Sequence, residues 1–235
     1  SALAGGALVL VAGRSGPYDV RAPGFSLESA RQAFSQRGVR LANVGYLGHM
    51  WELYAMWTWI PIFLLASFAA AGVDDPALAA FVAFVVVAIG GIGCVVAGLL
   101  ADRLGRTTVT IGAMAVSGSA AVITALTFGA DPWLTTVAAL IWGVTVVADS
   151  AQFSTAVTEL TPAGTAGSAL TLQTAAGFTL TSVTILLVGW VGSEGGDDAW
   201  RLAFMALALG PLVGIVAMAR LRRSPDAQRL AGGNR

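Results

Sequence analysis

Long apolar segments alternate with short polar or glycine-containing stretches from residue 41 to residue 221 of the chain. Crossing a hydrocarbon core of ~30 Å takes about 20 residues at a rise of ~1.5 Å per residue, and each segment reaches that length. The breaks between the segments contain Gly, Pro or Asp, which are typical of turns. The pattern therefore predicts six membrane-spanning helices, at residues 41–71, 77–100, 107–129, 132–160, 164–191 and 200–221.

The composition agrees with a membrane protein. Hydrophobic residues make up 56% of the chain and charged residues 11%, and the mean hydropathy is +0.77. These values are typical of an integral membrane protein and not of a soluble domain. The single cysteine, Cys94, lies inside an apolar segment and excludes an internal disulfide.

The charges indicate the orientation of the six spans. All thirteen basic residues are arginines, and only Arg201 lies on the side opposite the other twelve. Those twelve are Arg14, Arg21, Arg31, Arg37, Arg40, Arg103, Arg106, Arg220, Arg222, Arg223, Arg229 and Arg235. Because basic residues are enriched in cytoplasmic loops, we expect a multi-pass protein of the cell inner (plasma) membrane with a cytoplasmic C-terminus.

The segments outside the spans lead to a prediction for the whole chain. Residues 2–12 are apolar but too short to span, and they lack the basic start of a signal peptide. We expect residues 1–13 to end a transmembrane helix that begins in a longer protein. Residues 14–40 are predicted as a cytoplasmic linker, with a short helix from Ser26 to Phe34 capped by Ser26. Residues 41–222 form the six-helix domain, and 223–235 a cytoplasmic tail.

The turn between the second and third spans has a distinctive sequence. From Gly98 to Arg106 it reads Gly-Leu-Leu-Ala-Asp-Arg-Leu-Gly-Arg, and Gly98 is expected to let two helix ends approach closely. The stretch resembles the loop signature of the major facilitator superfamily, G-x-L-A-D-R-x-G-R-R. The matching residues are Gly98, Leu100, Ala101, Asp102, Arg103, Gly105 and Arg106, whereas Thr107 replaces a second basic residue. The alternative is an ordinary tight turn with basic anchors.

The resemblance implies an architecture. In this family an all-α membrane protein has two six-helix halves, each built as a 3+3 inverted repeat. The chain then corresponds to the C-terminal half, and residues 14–40 connect it to a missing N-terminal six-helix half.

Three ionisable residues lie deep inside the predicted spans. A charge within the membrane costs ~2.5 to 3.5 kcal/mol, so His49, Glu52 and Asp149 need an explanation. Glu52, Asp149 and Gln173 lie ~14 to 17 Å from the predicted span ends, which is near the middle of the core. A shared, water-accessible site at one depth explains them. The alternatives are a buried imidazole bonded to a carbonyl and a structural ion pair.

Further residues on the same helix faces complete the predicted substrate or proton pathway. Gln152 shares a face with Asp149, and Tyr46 and Trp59 share the face of His49 and Glu52. Helix packing is the alternative for each aromatic residue.

These observations predict a secondary transporter that moves a small organic solute by alternating access, with proton coupling left open. Its partners are the small-molecule substrate, protons if coupled, and the lipid bilayer. The alternative is a membrane-embedded enzyme that uses His49, Glu52 and Asp149. No metal-ligand spacing supports it, and the sequence predicts no catalytic residue, metal or cofactor. Nucleic-acid binding is not predicted, because the arginines follow membrane topology.

Overall fold

The computed structural model describes residues 2–13, 24 and 26–234, and helices dominate them. Within these residues there are eleven α-helices and no strand. They are α1 (Ala2–Ala12), α2 (Leu27–Ser35), α3 (Arg37–Ala70), α4 (Pro76–Ala88), α5 (Gly90–Leu104), α6 (Arg106–Leu126), α7 (Pro132–Val146), α8 (Ser150–Leu160), α9 (Ala166–Glu194), α10 (Gly196–Leu207) and α11 (Leu209–Arg222). A 3₁₀ segment, Pro225–Gly233, follows α11. Most of the predicted linker, residues 14–23 and Phe25, lies outside the described residues, as do Ser1 and Arg235.

Within the described residues, six helical spans are long and apolar enough to cross a membrane, as predicted. In chain order they are Arg37–Ala70, Pro76–Leu104, Arg106–Leu126, Pro132–Leu160, Ala166–Glu194 and Gly196–Arg222. The first begins at Arg37 and not at Leu41, and the third ends at Leu126 and not at Gly129. The chain is thus a multi-pass membrane protein.

The two ends of the bundle differ in charge. The first and third spans begin, and the sixth ends, at arginines, and we call this the arginine end. At the opposite acidic end, Asp75 accepts a hydrogen bond from the Leu78 amide at 2.9 Å, and Asp131 accepts one from the Trp133 amide at 2.8 Å. Each aspartate is followed by a proline, which suits the first turn of a helix. These caps explain why the second and fourth spans begin where they do.

The predicted short helix before the first span is present as α2. The Ser26 hydroxyl accepts a hydrogen bond from the Ser29 amide at 3.2 Å, which confirms the predicted cap. The Ser26 amide donates to the Ser168 hydroxyl at 3.1 Å. That bond attaches α2 to the fifth span at the arginine end.

The packing of the spans has the pattern of an inverted repeat. The first span packs on the fifth and sixth, and the fourth packs correspondingly on the second and third. The first also contacts the fourth, and the third contacts the sixth. If the first, second and third spans are exchanged with the fourth, fifth and sixth, each contact in this set becomes another contact of the same set. Because consecutive spans run in opposite directions, the two triplets are inverted, which agrees with the predicted half of a major facilitator fold.

Glycines bring two pairs of spans into backbone contact. A Cβ atom on Gly48 of the first span would overlap the Gly210 carbonyl oxygen of the sixth, and a Cβ on Gly210 would overlap the Gly48 carbonyl oxygen. In the same way, a Cβ on Gly93 of the second span would overlap the Val144 carbonyl oxygen of the fourth. Small residues allow such close crossings in membranes.

The buried apolar side chains form two main clusters, one toward each end of the bundle. The acidic-end cluster includes Phe63 and Phe204, whose rings stack 3.9 Å apart. The arginine-end cluster includes Met50, Phe153 and Met218. A layer of polar residues lies between the two clusters.

Candidate functional site

The polar layer contains side chains from three spans. It consists of His49, Glu52, Ser117 and Asp149, each at most 2% exposed. Along the chain, Ser117 lies between Met114 of the arginine-end cluster and Ala120 of the acidic-end cluster, and Asp149 lies between Val146 and Phe153. The layer therefore crosses the middle of the bundle where the two apolar clusters meet.

Hydrogen-bond donors from two other spans hold the carboxylate of Glu52. The Trp142 indole nitrogen Nε1 donates to Oε1 at 2.7 Å, and the Ser117 hydroxyl donates to Oε2 at 3.0 Å. A buried carboxylate requires such donors, because burial removes its hydration. These two bonds link the first span to the third and fourth.

His49 and Asp149 form a second polar contact, between the first and fourth spans. Nδ1 of His49 lies 2.9 Å from Oδ1 of Asp149, an ion-pair distance, although the two atoms are not aligned for a hydrogen bond. Nε2 of His49 and Oδ1 of Asp149 have no hydrogen-bond partner among the described residues. Buried polar atoms of this kind are uncommon in folded proteins and often have a functional explanation.

Asp149 lies where the fourth span is interrupted, between α7 and α8. The Ala148 amide donates to the Thr145 carbonyl at 3.2 Å, and the Ser150 amide donates to the Val147 carbonyl at 3.1 Å. These three-residue hydrogen bonds tighten the helix locally. The break places the Asp149 carboxyl at the N-terminus of α8, where the helix dipole favours negative charge.

Aromatic rings lie beside His49, but the predicted pathway residue Trp59 does not belong to this group. The His49 ring centroid is 5.6 Å from that of Phe153 and 6.3 Å from that of Tyr46. Trp59 packs in the acidic-end cluster, 6.0 Å from the Trp200 ring, and donates to the Ile185 carbonyl at 2.9 Å. In this structure Trp59 joins the first and fifth spans.

The two predicted glutamines lie toward the arginine end. Gln152 accepts a hydrogen bond from Arg106 at 2.9 Å and is 4% exposed. Gln173 is 1% exposed, and neither atom of its amide has a hydrogen-bond partner among the described residues. Gly177, one turn beyond Gln173 on the fifth span, packs on Tyr46, which is about one turn from His49 toward the arginine end. Gln173 therefore lies about two turns from His49 toward the arginine end.

Arg106 connects the signature turn to two other parts of the arginine end. Its Nε and Nη2 atoms donate to the Glu159 carboxylate of the fourth span at 2.9 and 2.8 Å. Glu159 also accepts a hydrogen bond from the Ala231 amide, in the C-terminal 3₁₀ segment, at 3.1 Å. The Asp102 carboxylate is farther from Arg106, at 3.8 Å.

The other signature residues differ in their backbone conformation and exposure. Gly105 separates α5 from α6 with φ +89°, a conformation that favours glycine. Asp102 and Arg103 are exposed, and the Asp102 carbonyl accepts a hydrogen bond from Asn234 at 3.0 Å. A Cβ on Gly98 would meet no atom within 4 Å, so the predicted close approach of two helix ends at Gly98 is wrong.

Comparison with known proteins identifies the family. A family model described as "Sugar (and other) transporter" matches residues 43–230, which is well over half of the chain. The chain belongs to this transporter family. It is therefore a membrane transporter, and the resemblance to the major facilitator superfamily is confirmed. A comparison with curated proteins gives no match.

Several contacts of the candidate site have little or no signal in the sequence of the transporter. Ser117 and Trp142 hold Glu52, yet a hydroxyl and an indole within apolar segments are typical of ordinary helix packing. The break before Asp149 contains neither Gly nor Pro. Glu159 does have a signal, because it continues the stripe of Asp149 and Gln152 to the arginine end of the fourth span. Arg106 begins the third span at that same end.

Proposed function

We propose that this chain is one six-helix half of a secondary transporter that moves a small organic solute by alternating access. Sugars, which the family description names, are the first class of solute to test. The buried polar layer is the observation that carries the proposal. His49, Glu52 and Asp149 are ionisable residues buried in the middle of the bundle, between its two apolar clusters. Secondary transporters bind substrates at this depth, between inverted repeats.

We also propose the orientation and the domain organisation. The arginine end lies on the cytoplasmic side of the inner membrane, because basic residues are retained there. Contacts between the signature turn, Glu159 and the segment Pro225–Gly233 support a common side for these parts. In this proposal residues 41–222 form the transport domain, residues 14–40 connect it to an N-terminal six-helix half, and residues 223–235 form a cytoplasmic tail.

Proton coupling through the polar layer is the next part of the proposal. The His49 and Asp149 side chains lie at ion-pair distance, and each has one buried atom without a hydrogen-bond partner in the part of the chain that the structure describes. Glu52, one turn farther along the first span, is linked to the same fourth span through Trp142. A proton exchanged at these groups would change the attraction between the first and fourth spans, and thereby the preferred conformation.

A transporter is favoured over a membrane-embedded enzyme on two grounds. The family is one of transporters. Moreover, both oxygens of the Glu52 carboxylate accept hydrogen bonds, one from Trp142 and one from Ser117.

The experiment replaces Glu52 by Gln in the full-length protein reconstituted into liposomes. Glutamine retains the size of the side chain and removes its charge. We expect accumulation of solute against its gradient, driven by an imposed pH difference, to be lost in E52Q. Exchange of labelled for unlabelled solute across the membrane should continue, because exchange needs no net proton movement.

Asp198→Asn is the matched control, because Asp198 is an acidic residue that lies exposed at the acidic end. This variant should accumulate solute as the wild type does. Accumulation by E52Q with the pH dependence of the wild type would show that Glu52 carries no proton. Failure of every sugar and other small organic solute to bind or exchange in the wild type would contradict the proposed transport activity itself.

A further inference from the structure

A continuous groove follows the surface between the first and sixth spans. Two adjoining cavities, of about 340 and 380 Å³, form it and share Val44 and Val213 as lining residues. One cavity extends to Trp51 in the middle of the bundle, and the other to Arg220 at the arginine end. The lining side chains are apolar except Arg220, and the Trp51 indole N–H is already bonded to the Ala206 carbonyl at 3.0 Å.

The close crossing of the two spans shapes the groove. Gly48 and Gly210, whose backbones touch, lie at its deep end and contribute no side chain that could fill it. Val44 and Val213 line both cavities and are 39% and 54% exposed. The groove is therefore an apolar channel on the outer surface of the bundle.

The length of the groove matches one leaflet of a bilayer. From Gly210 to Arg220 the sixth span rises about 15 Å, which is half of a ~30 Å hydrocarbon core. Arg220 lies in the last turn of this span, and a helix that crosses the hydrocarbon core ends among the lipid headgroups. Its side chain is exposed, and among the described residues it has no hydrogen bond or ion pair.

We propose that this groove binds an anionic phospholipid, with one acyl chain between Val44 and Val213 and the phosphate on Arg220. Charge complementarity selects the occupant, because an apolar channel that ends at an unpaired arginine fits an acyl chain with an anionic headgroup. The site differs from the polar layer, which is buried between the first, third and fourth spans. Lipid binding there is independent of which solute is transported.

Native mass spectrometry of the full-length protein, with phosphatidylglycerol and phosphatidylcholine in competition, tests the proposal. One basic residue near the membrane surface contributes ~1 kcal/mol, so we expect about a fivefold preference for phosphatidylglycerol. R220A should abolish this preference, and R220K should retain it. R223A is the matched control, because Arg223 is exposed near the same helix end but does not line the groove. V213W should weaken the binding of both lipids.

Three results would overturn the proposal. If R220A and R223A reduce the preference equally, the charge effect is diffuse and Arg220 forms no site. If glycerol phosphate without acyl chains competes as well as the lipid, the apolar groove takes no part. If V213W binds phosphatidylglycerol as the wild type does, lipid does not occupy the groove, which is also the result expected when another protein segment covers it. Val213 is more than half exposed, so its replacement leaves the core packing intact.

Discussion

The contact between Arg106 and Glu159 provides a quantitative test of the structure. We consider the double-mutant cycle formed by Arg106→Ala, Glu159→Ala and the double variant in the full-length protein. The cycle isolates the energy of the pair from the other effects of each substitution. Its matched control is the Arg201–Asp198 pair at the acidic end, which has a similar separation of 2.9 Å.

The burial of each ion pair determines the coupling energy expected for it. The side chains of Arg106 and Glu159 are 12% and 25% exposed, and two nitrogens of the arginine reach the carboxylate. Exposed ion pairs contribute ~0.2 to 1 kcal/mol, whereas removing one partner of a fully buried pair costs ~3 to 5 kcal/mol. We therefore expect a coupling energy of about 2 kcal/mol for this pair. In the control pair Asp198 is 91% exposed, and we expect about 0.5 kcal/mol or less.

Reversible unfolding in mixed micelles of increasing SDS content gives the free energy of unfolding for each variant. The Glu159→Ala single variant should lose more than the pair energy, because the Ala231 amide also loses its acceptor. A coupling energy equal to that of the control pair would refute the reasoning. In that case solvent would screen Arg106 and Glu159 as it screens surface charges.

Two further predictions concern helix packing and helix ends. Gly93→Ala should destabilise the protein by about 1 to 3 kcal/mol, because its Cβ would overlap the Val144 carbonyl, whereas Gly91→Ala, whose Cβ meets no atom within 4 Å, should be neutral or slightly stabilising. Equal effects on thermal unfolding would contradict the close crossing. Asp75→Ala should cost about 1 kcal/mol through loss of the cap on the second span, and Asp74→Ala should cost much less. Equal losses in the same unfolding measurement would show that charge, and not capping, matters at this turn.

Much of the fold is predictable from the sequence for simple reasons. Span length follows from the thickness of the hydrocarbon core, so the number of spans and most of their ends agree with the apolar segments. Turn chemistry at Asp75 and Asp131 marks the starts of the second and fourth spans. The interruption before Asp149 is not predictable, because a local change in hydrogen bonding among Thr145, Ala148 and Ser150 needs no special residue type.

The candidate site is predictable only in part. Ionisable residues in apolar segments are conspicuous, and the structure brings Asp149 to His49. Their partners are not conspicuous, because periodicity gives the face of a helix but not which neighbouring helix that face meets. Gln152 illustrates the limit, since it shares a face with Asp149 and yet bonds to Arg106, outside the polar layer.

The glycine crossings have a consequence for movement within this half. Where the backbones of the first and sixth spans touch, and where those of the second and fourth touch, no side chain can change rotamer to let one span slide past the other. Each of these two pairs of spans would then move as a rigid unit. The contacts of His49 with Asp149 and of Glu52 with Trp142 join one unit to the other. Under the proposed proton coupling, a proton added at these groups would act on the contacts between two rigid units.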